Sequence, residues 1–351
     1  MSLSEQSGDA EAWFVPRMNK VDPNNQVSII VVNWNRAGLL RDCLNALCCQ
    51  SYSNFEIIVV DNGSSDDSAT LVKEDFPRIK LVELTENRGF TGGNAAGLEV
   101  ADGEFIALVN NDACVAPDWL DKLLRPMLMD SSIGICASKL IIDGSDKIDS
   151  AGDGITTAGV GFNRGLGVDC RQFSSTEPIF GACGAAAVYR RSMLREIGFF
   201  DSDFFLYDED IDLSFRAQLA GWKCQYVSDA VAFHKGNATA ERLSDVHVYY
   251  HSRNLEFVWI KNMPGILMLR YLHHKLIQEL AGFVYLCLRH RRRNAFYRAK
   301  RDALRMLPHM LKKRREIQRR RKVSDRYIRQ ILTPVVDRDY LRRKTRQLIR
   351  G

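Results

Sequence analysis

Four apolar runs alternate with amphipathic segments in the first third of the chain. Val27–Val32 and Glu56–Val60 are continuous and rich in β-branched residues, and Ile79–Leu84 and Phe105–Val109 follow them. Runs of this kind are typical of parallel strands buried on both faces. The stretch after the first run has apolar residues at helical spacing: Leu39, Leu40, Cys43, Leu44 and Leu47. Repeated strand–helix alternation predicts an α/β fold with a mostly parallel, Rossmann-like sheet and flanking helices.

Polar clusters follow these strands where a parallel sheet binds ligands. Asp61–Asp66, Asn87–Asn94 and Asn110–Asp112 each come after an apolar run. Because ligands bind at the carboxyl ends of such strands, the clusters predict one shared crevice. The glycines of the second cluster do not fit the G-x-G-x-x-G spacing of a dinucleotide site. We therefore expect a flexible loop there, whose backbone amides and Asn94 approach a phosphate or a sugar.

After residue 112 the alternation becomes less regular. Asp118–Asp130 and Asp210–Ala220 have the pattern of helices, whereas Ile133–Ile142 predicts one or two strands. The Gly- and Asp-rich stretch Gly144–Thr176 predicts loops or a hairpin, and Lys223–Val231 predicts a strand that ends near His234. From residue 248 onward the pattern is helical.

Charge divides the chain into an acidic body and a basic tail. Residues 286–351 contain 24 Lys and Arg against 5 Asp and Glu, whereas residues 1–285 contain 25 against 38. We predict a flexible arm at 1–25, a catalytic domain at 26–248 and a basic helical region at 249–351. Such a region binds an anionic partner. An anionic membrane surface is favoured, nucleic acid is the second interpretation, and a solvated face or an oligomer contact is the third.

Four carboxylates occur within five positions, between aromatic and apolar residues. They are Asp208, Glu209, Asp210 and Asp212. Like charges beside aromatic side chains raise one another's energy, so this cluster indicates a functional site that deprotonates an acceptor or faces a cation. The alternative is an ordinary helix start, because acidic residues suit a helix N-terminus and Asp212 can pair with Arg216 four residues later.

Three further residues are candidates for ligand binding. Asp112 follows a buried strand, where a carboxylate can hold Mg²⁺ or Mn²⁺ against a diphosphate, although Asn110–Asp112 also fits an Asx turn. Asp61 also ends a strand, where it either holds a nucleoside by hydrogen bonds or caps a helix. His234 lies just after a strand and suits either metal binding or a structural role.

Taken together, these motifs resemble one family. Its motifs occur in family order at Val27–Asn35, Val59–Asp66, Asn87–Phe90, Asn110–Asp112 and Tyr207–Arg216. From Val27 to Thr239 the chain resembles the family 2 glycosyltransferases of GT-A fold, in particular the rhamnosyltransferase branch of cell-wall and surface-polysaccharide synthesis. The resemblance implies an inverting, metal-assisted sugar transfer from a nucleoside-diphosphate sugar, with dTDP-rhamnose favoured, to a saccharide or lipid-linked acceptor.

The resemblance also implies a role for each matching residue. Asp210 would be the catalytic base, with Glu209 as its competitor, and Asp112 and His234 would bind Mg²⁺ or Mn²⁺. Donor binding would fall to Val32, Trp34, Asp61, Asn62, Asn87, Arg88, Asn94, Asn110 and Asn111. Asn110 stands where members of the family often carry Asp, which leaves one carboxylate fewer for the metal.

Two further expectations concern function class and location. A binding protein that keeps nucleotide or glycan affinity without turnover is the alternative to an enzyme, and Asn110 favours it whereas the intact Glu209–Asp210 pair does not. Residues 1–25 lack an apolar signal sequence, and Ile266–Leu288 contains too many charges to span a bilayer. We therefore expect a cytoplasmic protein at the inner face of a membrane.

Overall fold

The computed structural model describes residues 25–236 and 243–335. The predicted arm at 1–25 lies outside these residues apart from Asn25, as do residues 237–242 and 336–351. The strands are β1 Val27–Asn33, β2 Phe55–Asp61, β3 Lys80–Glu83, β4 Phe105–Val109, β5 Ala113–Val115, β6 Ile133–Ile142, β7 Ile148–Ser150, β8 Asp153–Thr156, β9 Gly161–Asn163, β10 Glu177–Ile179, β11 Ala186–Arg190, β12 Lys223–His234 and β13 Leu332–Thr333.

Helices cover both faces of the sheet and form the C-terminal region. They are α1 Ala37–Cys48, α2 Ser68–Asp75, α3 Gly89–Glu99, α4 Trp119–Met129, α5 Arg191–Ile197, α6 Glu209–Leu219, α7 Asp245–Asn262, α8 Gly265–Phe283, α9 Arg293–Arg305, α10 Leu307–Arg319 and α11 Asp325–Ile331. A 3-10 turn at Cys170–Gln172 and a π-helical turn at Val284–Arg289 complete the described elements.

The central sheet has the predicted mostly parallel core. Its strands run in the order β10-β12-β6-β11-β4-β1-β2-β3, and β5 and β7 pair with β12 and β6. Strands β4, β1, β2 and β3 are parallel to one another, whereas β11 is antiparallel to β4 and β6. A second, small sheet has the order β13-β8-β9. Strands β1 and β4 are buried as expected, and alternate residues of β1 belong to separate apolar clusters on the two faces of the sheet. The run at Ile79–Leu84 is only partly buried, because β3 is the edge strand.

Two predicted boundaries differ from the structure. The Gly-rich segment expected to be a flexible loop is already helical from Gly89, because its glycines allow α3 to lie close to β1. A β-carbon on Gly93 would come within 2.6 Å of Val32 Cγ1. The boundary expected at residue 248 falls inside α7.

The C-terminal helices pack on the sheet domain through a third apolar cluster. Phe204 and Phe215 from the domain pack there with Phe257 of α7 and Met310 of α10. In addition, β13 extends the small sheet by pairing with β8. Residues 245–335 are therefore built into the same core as α6.

A buried network of charges fastens α7 to α6. The Lys261 side chain is 1% exposed and lies between Asp201 and Asp212, with Nζ 2.9 Å from Asp212 Oδ1. Arg216 Nε and Asn262 Nδ2 also donate to Asp212, at 2.8 and 2.7 Å. Although burial raises the pKa of Asp212, Lys261 and Arg216 hold it below its usual value. The network keeps three charged groups paired away from water.

Lys261→Met tests this network. The substitution keeps the length of the side chain but leaves Asp201 and Asp212 short of positive charge, so we expect a loss of about 3 kcal/mol in the free energy of unfolding. Urea unfolding measures it. The matched control is Lys73→Met, because Lys73 pairs with Glu83 at the surface and should change stability by about 0.5 kcal/mol or less. Equal losses in both variants would contradict the role of the buried network.

Candidate active site

The carboxyl ends of the parallel strands bring two predicted residues, Asp61 and Asn111, together with Asn33. Asn33 and Asp61 end β1 and β2 at the same level, because they are register partners. Asn111 joins them after β4, and its Nδ2 donates to Asn33 Oδ1 at 2.6 Å. Asp61 and Asp112 are both buried. The predicted crevice therefore exists at this edge of the sheet.

Two buried polar atoms in the crevice have no protein partner. Among the described residues, Asp61 Oδ1 and Asn33 Nδ2 make no hydrogen bond, although Asp61 Oδ2 accepts one from Ser64 N at 3.3 Å. Buried polar groups are almost always paired in folded proteins, so these two atoms are suited to contact a polar ligand. Trp34 is 41% exposed next to them. It lines an open cavity with Asn35, Arg36 and Asp66.

Two other residues predicted to bind the sugar donor, Asn62 and Asn87, use their side chains in hydrogen bonds within the protein. Asn62 Nδ2 donates to Asn87 Oδ1 and to the Gly89 carbonyl, and its Oδ1 accepts from Arg88 N. Asn62 and Asn87 therefore shape the turn before α3. The exposed Arg88 side chain and Val32 remain beside the crevice.

The sequence suggested that Asn94 belongs to a phosphate-binding loop, but the structure places it in a helix. It is 1% exposed within α3, and its Nδ2 donates to the Phe90 carbonyl at 2.9 Å. The side-chain amide thus bonds the carbonyl four positions earlier in the same helix. The prediction for Asn94 rested on a flexible loop and is corrected by the helix.

Asp112, His234 and Asp149 form a line of hydrogen-bonding groups. His234 Nε2 lies 3.2 Å from Asp112 Oδ1, and His234 Nδ1 lies 2.7 Å from Asp149 Oδ2. Burial lowers the pKa of His234, but its bonds to the two carboxylates raise it to about 10. Pairing of β5 with β12 holds this arrangement, since Ala113 is the register partner of His234. Asn110, beside it, is held by its backbone N–H bond to the Ala185 carbonyl at 2.8 Å.

These residues fit a divalent cation only in part. No group of three His, Cys, Asp or Glu converges on one point within residues 25–236 and 243–335. Asp112 Oδ1 and His234 Nε2 nevertheless lie 3.2 Å apart and can both reach one ion once Nε2 has lost its proton, and the hydrogen bond that His234 Nδ1 donates to Asp149 is the usual support of a metal-binding histidine. Mg²⁺ and Mn²⁺ sites commonly complete such a small set with phosphate oxygens and water. The donor set therefore fits an ion shared with a diphosphate.

The four clustered carboxylates have different surroundings. Asp212 is fully buried in the Lys261 network and pairs with Arg216, as the spacing suggested. Asp208 bonds His251 Nδ1 of α7 at 2.9 Å. Both are thus engaged in holding the protein together. Glu209 and Asp210 remain for chemistry.

Asp210 and Glu209 differ in protonation. Asp210 Oδ2 accepts from Gly184 N at 3.1 Å and its Oδ1 accepts from Ile211 N at 2.8 Å. Burial raises the pKa of Asp210 to about 6 against these hydrogen bonds. Glu209 is buried, its Oε2 has no hydrogen-bond partner among the described residues, and burial raises its pKa well above the usual value. With a pKa of about 6, Asp210 is mostly ionised at neutral pH.

The backbone connects the two halves of the site. Gly184 N–H donates to Asp210, and the next residue, Ala185, accepts from Asn110 N. The 184–185 segment thus lies between Asp210 and the Asn110–Asp112 turn.

A further buried acid lies near Asp210. Asp153 is 2% exposed. Burial and the charge of Asp210 raise the pKa of Asp153 well above its usual range.

The loop before α6 is strained and is held by α7. Phe205, Tyr207 and Asp208 have φ values of 64°, 69° and 64°. This left-handed conformation costs about 1 kcal/mol or more for each residue other than glycine. Asn254 Nδ2 donates to the carbonyls of Phe204, Leu206 and Tyr207, at 3.1, 2.9 and 2.8 Å. One buried amide from the C-terminal region therefore fixes the loop that presents Asp210.

Sequence reasoning missed Asn33, Asp149 and Asn254. Asn33 directly follows the first apolar run, so its place at a strand end was a usable signal. Asp149 lies 85 positions from His234 and Asn254 lies about 50 positions from its loop. No spacing pattern connects residues this far apart.

Comparison with known proteins agrees with this geometry. Residues 28–198 match the family model described as Glycosyl transferase family 2. An N-acetylglucosaminyltransferase of Mesorhizobium japonicum is 27% identical over 227 residues, which are 60% of this chain and 51% of that protein. The chain spans about half of the length of this relative and a smaller share of several others.

Solved structures show which fold the chain has. The structure of GalNAc-T7 with UDP, GalNAc and Mn²⁺ aligns with a TM-score of 0.55 at 15% identity, over 68% of this chain and 48% of that one. The mannosyltransferase PcManGT of Pyrobaculum calidifontis, with GDP-Man and Mn²⁺, aligns with a TM-score of 0.50 at 20% identity, over 82% and 77%. The chain has the GT-A fold, with a helical C-terminal region. The family match and the named relatives support a glycosyltransferase enzyme.

Asn254→Ala tests the hold of α7 on the loop. Three buried carbonyls would lose their shared donor, so we expect a loss of about 2–4 kcal/mol in the free energy of unfolding, together with faster amide exchange at residues 204–212. Hydrogen exchange with mass spectrometry measures the local effect. Asn294→Ala, on the exposed face of α9, is the control and should leave both quantities unchanged. Unaltered exchange at 204–212 in Asn254→Ala would show that the loop is held by other contacts.

Proposed function

We propose that this chain is an inverting, metal-dependent glycosyltransferase. It transfers a sugar from a nucleoside-diphosphate sugar to a saccharide or lipid-linked acceptor. The observation that supports the proposal is the position of Asp210, which has a pKa of about 6 and is connected through the 184–185 segment to the crevice that ends β1, β2 and β4. A single sugar transfer requires a base that deprotonates the acceptor close to a crevice that holds the donor nucleotide.

The donor nucleoside would lie at the ends of β1 and β2. Asp61 Oδ1 and Asn33 Nδ2 would hydrogen-bond its polar groups, since both are buried without a partner among the described residues. Trp34 and Val32 would flank the base, and Arg88 would face the diphosphate. Asn111 and Asn62 would act by holding Asn33 and the turn at 87–89 in place.

Asp112 and His234 would hold the divalent cation, with Asp149 orienting the imidazole. When bound, Mg²⁺ or Mn²⁺ would stabilise the negative charge of the leaving diphosphate. Without the ion, the protonated His234 supplies positive charge between Asp112 and Asp149. Asn110 adds an amide where the family often has a carboxylate, so Asp112 supplies the charged oxygen in this turn.

Asp210 would take the proton of the acceptor hydroxyl. A general base is most effective when its pKa lies near the working pH, and a pKa of about 6 leaves Asp210 ionised and still basic at neutral pH. One base suffices for a single displacement, which inverts the configuration of the sugar. Burial raises the pKa of Glu209 well above its usual value, which disfavours its ionised, basic form.

Finer aspects of the function rest on the motif resemblance. We favour rhamnose from dTDP-rhamnose as the donor and surface-polysaccharide synthesis as the process. An anionic membrane surface is the favoured partner of the basic helices, with nucleic acid as the weaker alternative. Parts of the basic clusters already have protein partners, since Lys313 bonds Asp201 and Asp203, and Arg314 Nη1 donates to two backbone carbonyls. No described helix is long and apolar enough to cross a bilayer.

A nucleotide- or glycan-binding protein without turnover is the second candidate. Asn110 and the small set of metal-binding side chains favour it, because tight metal binding needs more charge. The ionised Asp210 argues against it, since a pure binding site has no use for a base beside the crevice.

Asp210→Asn and Glu209→Gln distinguish the two functions. We expect Asp210→Asn to lower the rate of sugar transfer about 100-fold or more, because general base catalysis contributes at least that much. Donor binding should be retained, because Asp210 contacts none of the crevice residues. Glu209→Gln should keep most of the activity, since a neutral amide replaces a neutral acid. Transfer and donor binding are measured on the same preparations.

The pH dependence provides an internal control for these variants. Transfer by the wild type should fall as the pH drops through about 6, because protonated Asp210 cannot accept a proton. Near-full transfer by Asp210→Asn would reject our assignment of the base. Nucleotide affinity with no released nucleoside diphosphate in any variant would favour the binding protein.

A panel of sugar nucleotides tests the donor assignment. Binding to the native state raises the melting temperature, so dTDP-rhamnose with Mn²⁺ should give the largest shift among dTDP-, UDP- and GDP-sugars. The shift should shrink in Asp61→Asn and when EDTA replaces Mn²⁺. A larger shift with a UDP- or GDP-sugar would replace dTDP-rhamnose as the donor.

A further inference from the structure

Helix α8 and the π-helical turn after it expose a continuous apolar face. We call this face the α8 stripe. Its members are 47–80% exposed and recur every three or four residues. They are Ile266, Leu269, Leu272, Leu276, Ile277, Leu280, Val284 and Leu288. Arg270 is the one Lys, Arg, Asp or Glu that is exposed between residues 265 and 288.

The opposite face of α8 is fixed to the protein. Leu267 is buried in the third apolar cluster, where Met268 and Tyr271 pack against it. Lys275 is 5% exposed and bonds Glu256 of α7 and Glu279 of α8. The α8 stripe is therefore held outward by a rigid base. It spans about 33 Å at 1.5 Å per residue.

The charge around the α8 stripe indicates which kind of partner binds to it. Residues 265–335 contain 20 Lys and Arg against 4 Asp and Glu. Arg289, Arg291 and Arg293 are exposed at the end of the stripe, and Arg298, Arg301 and Arg305 are exposed on α9. A second copy of the chain would bring this positive charge against itself. An anionic lipid surface satisfies the apolar face and the charge together.

We propose that the α8 stripe is a membrane-docking surface that lies in the plane of an anionic bilayer. Leucine and isoleucine side chains of α8 enter the boundary between headgroups and acyl chains, and the arginines at its end and on α9 bind lipid phosphates. The Lys- and Arg-rich segment at 312–322 is thus not the apolar anchor. This inference rests on the proposed function only where it concerns a lipid-linked acceptor.

A short path joins the docking surface to the site. Phe283, Leu286 and Cys287 pack with Val248 and Tyr249 in the first turns of α7. The neighbouring residue Tyr250 stacks on Phe205, with ring centroids 5.0 Å apart, and His251 bonds Asp208. Docking of α8 would therefore hold the loop that presents Asp210 at a fixed position relative to the lipid surface.

Vesicle binding with matched apolar variants tests the proposal. The test variant is Leu276→Gln/Leu280→Gln, and the control is Leu128→Gln/Met129→Gln on α4, whose side chains are similarly exposed. Co-sedimentation of the full chain is measured with vesicles of phosphatidylcholine containing 30% phosphatidylglycerol, at 0.1 M and 0.5 M NaCl. We expect the test variant to bind at least tenfold more weakly than the wild type at both salt concentrations, and the control to stay within twofold.

A charge variant separates insertion from adsorption. Arg289→Gln/Arg293→Gln should weaken binding at 0.1 M NaCl and have little effect at 0.5 M, where charge attraction is screened. Wild-type binding that disappears entirely at 0.5 M NaCl, or a test variant that binds as the wild type does, would overturn the proposal. So would a wild-type dimer in sedimentation experiments that the test variant abolishes, since a second copy would then cover the stripe.

Donor hydrolysis and thermal unfolding of the same preparations complete the test. Both should be unchanged in the test variant, because Leu276 and Leu280 contact neither the crevice nor the core. Absence of hydrolysis in every preparation, with vesicle binding intact, would reject the proposed function and leave the docking surface standing.

Discussion

The candidate site depends on the attachment of α7 to the acidic segment of α6. Lys261 neutralises two buried carboxylates, and Asn254 binds three carbonyls of a loop whose backbone is strained at three residues. Without these contacts the loop would relax toward ordinary φ values and Asp210 would lose its place beside Gly184. The position of Asp210 in the sheet domain thus depends on contacts from the helical C-terminal region. The charge asymmetry of the sequence, which divides the chain into two regions, gives no sign of this dependence.

Differences in surroundings give similar carboxylates different properties. Asp212 faces Lys261 and Arg216 and stays ionised in the interior, which makes it a fastening group. Glu209 has no such partner, so burial keeps it neutral. Asp210 lies between these limits, because two backbone N–H groups offset part of its burial and leave a pKa near 6. Asp112 and His234 face each other across a neighbouring strand end, where a cation and a diphosphate would meet.

The C-terminal helices combine two opposite surface characters. Their inner faces supply apolar and charged contacts to α6, whereas the outer face of α8 leaves leucine and isoleucine exposed among arginines. A soluble protein rarely keeps so long an apolar stripe without a use for it. Because the stripe reaches the first turns of α7, attachment to a lipid surface and presentation of Asp210 belong to one connected structure.

The sequence by itself determined strands β1 to β4, β6 and β12 and the polar residues at the strand ends, but not β5, β7 to β10 or β13. These follow from local pattern, since burial on both faces demands continuous apolar runs and the crevice demands polar residues after them. It also singled out Asp210 and Glu209, but it could not rank them, because their pKa values depend on Gly184 and on burial. Only the tertiary structure placed Asp149 against His234, Asn254 on the loop and Asn94 within a helix. These contacts join residues far apart in the chain or depend on close packing of glycine, and neither leaves a periodic signal.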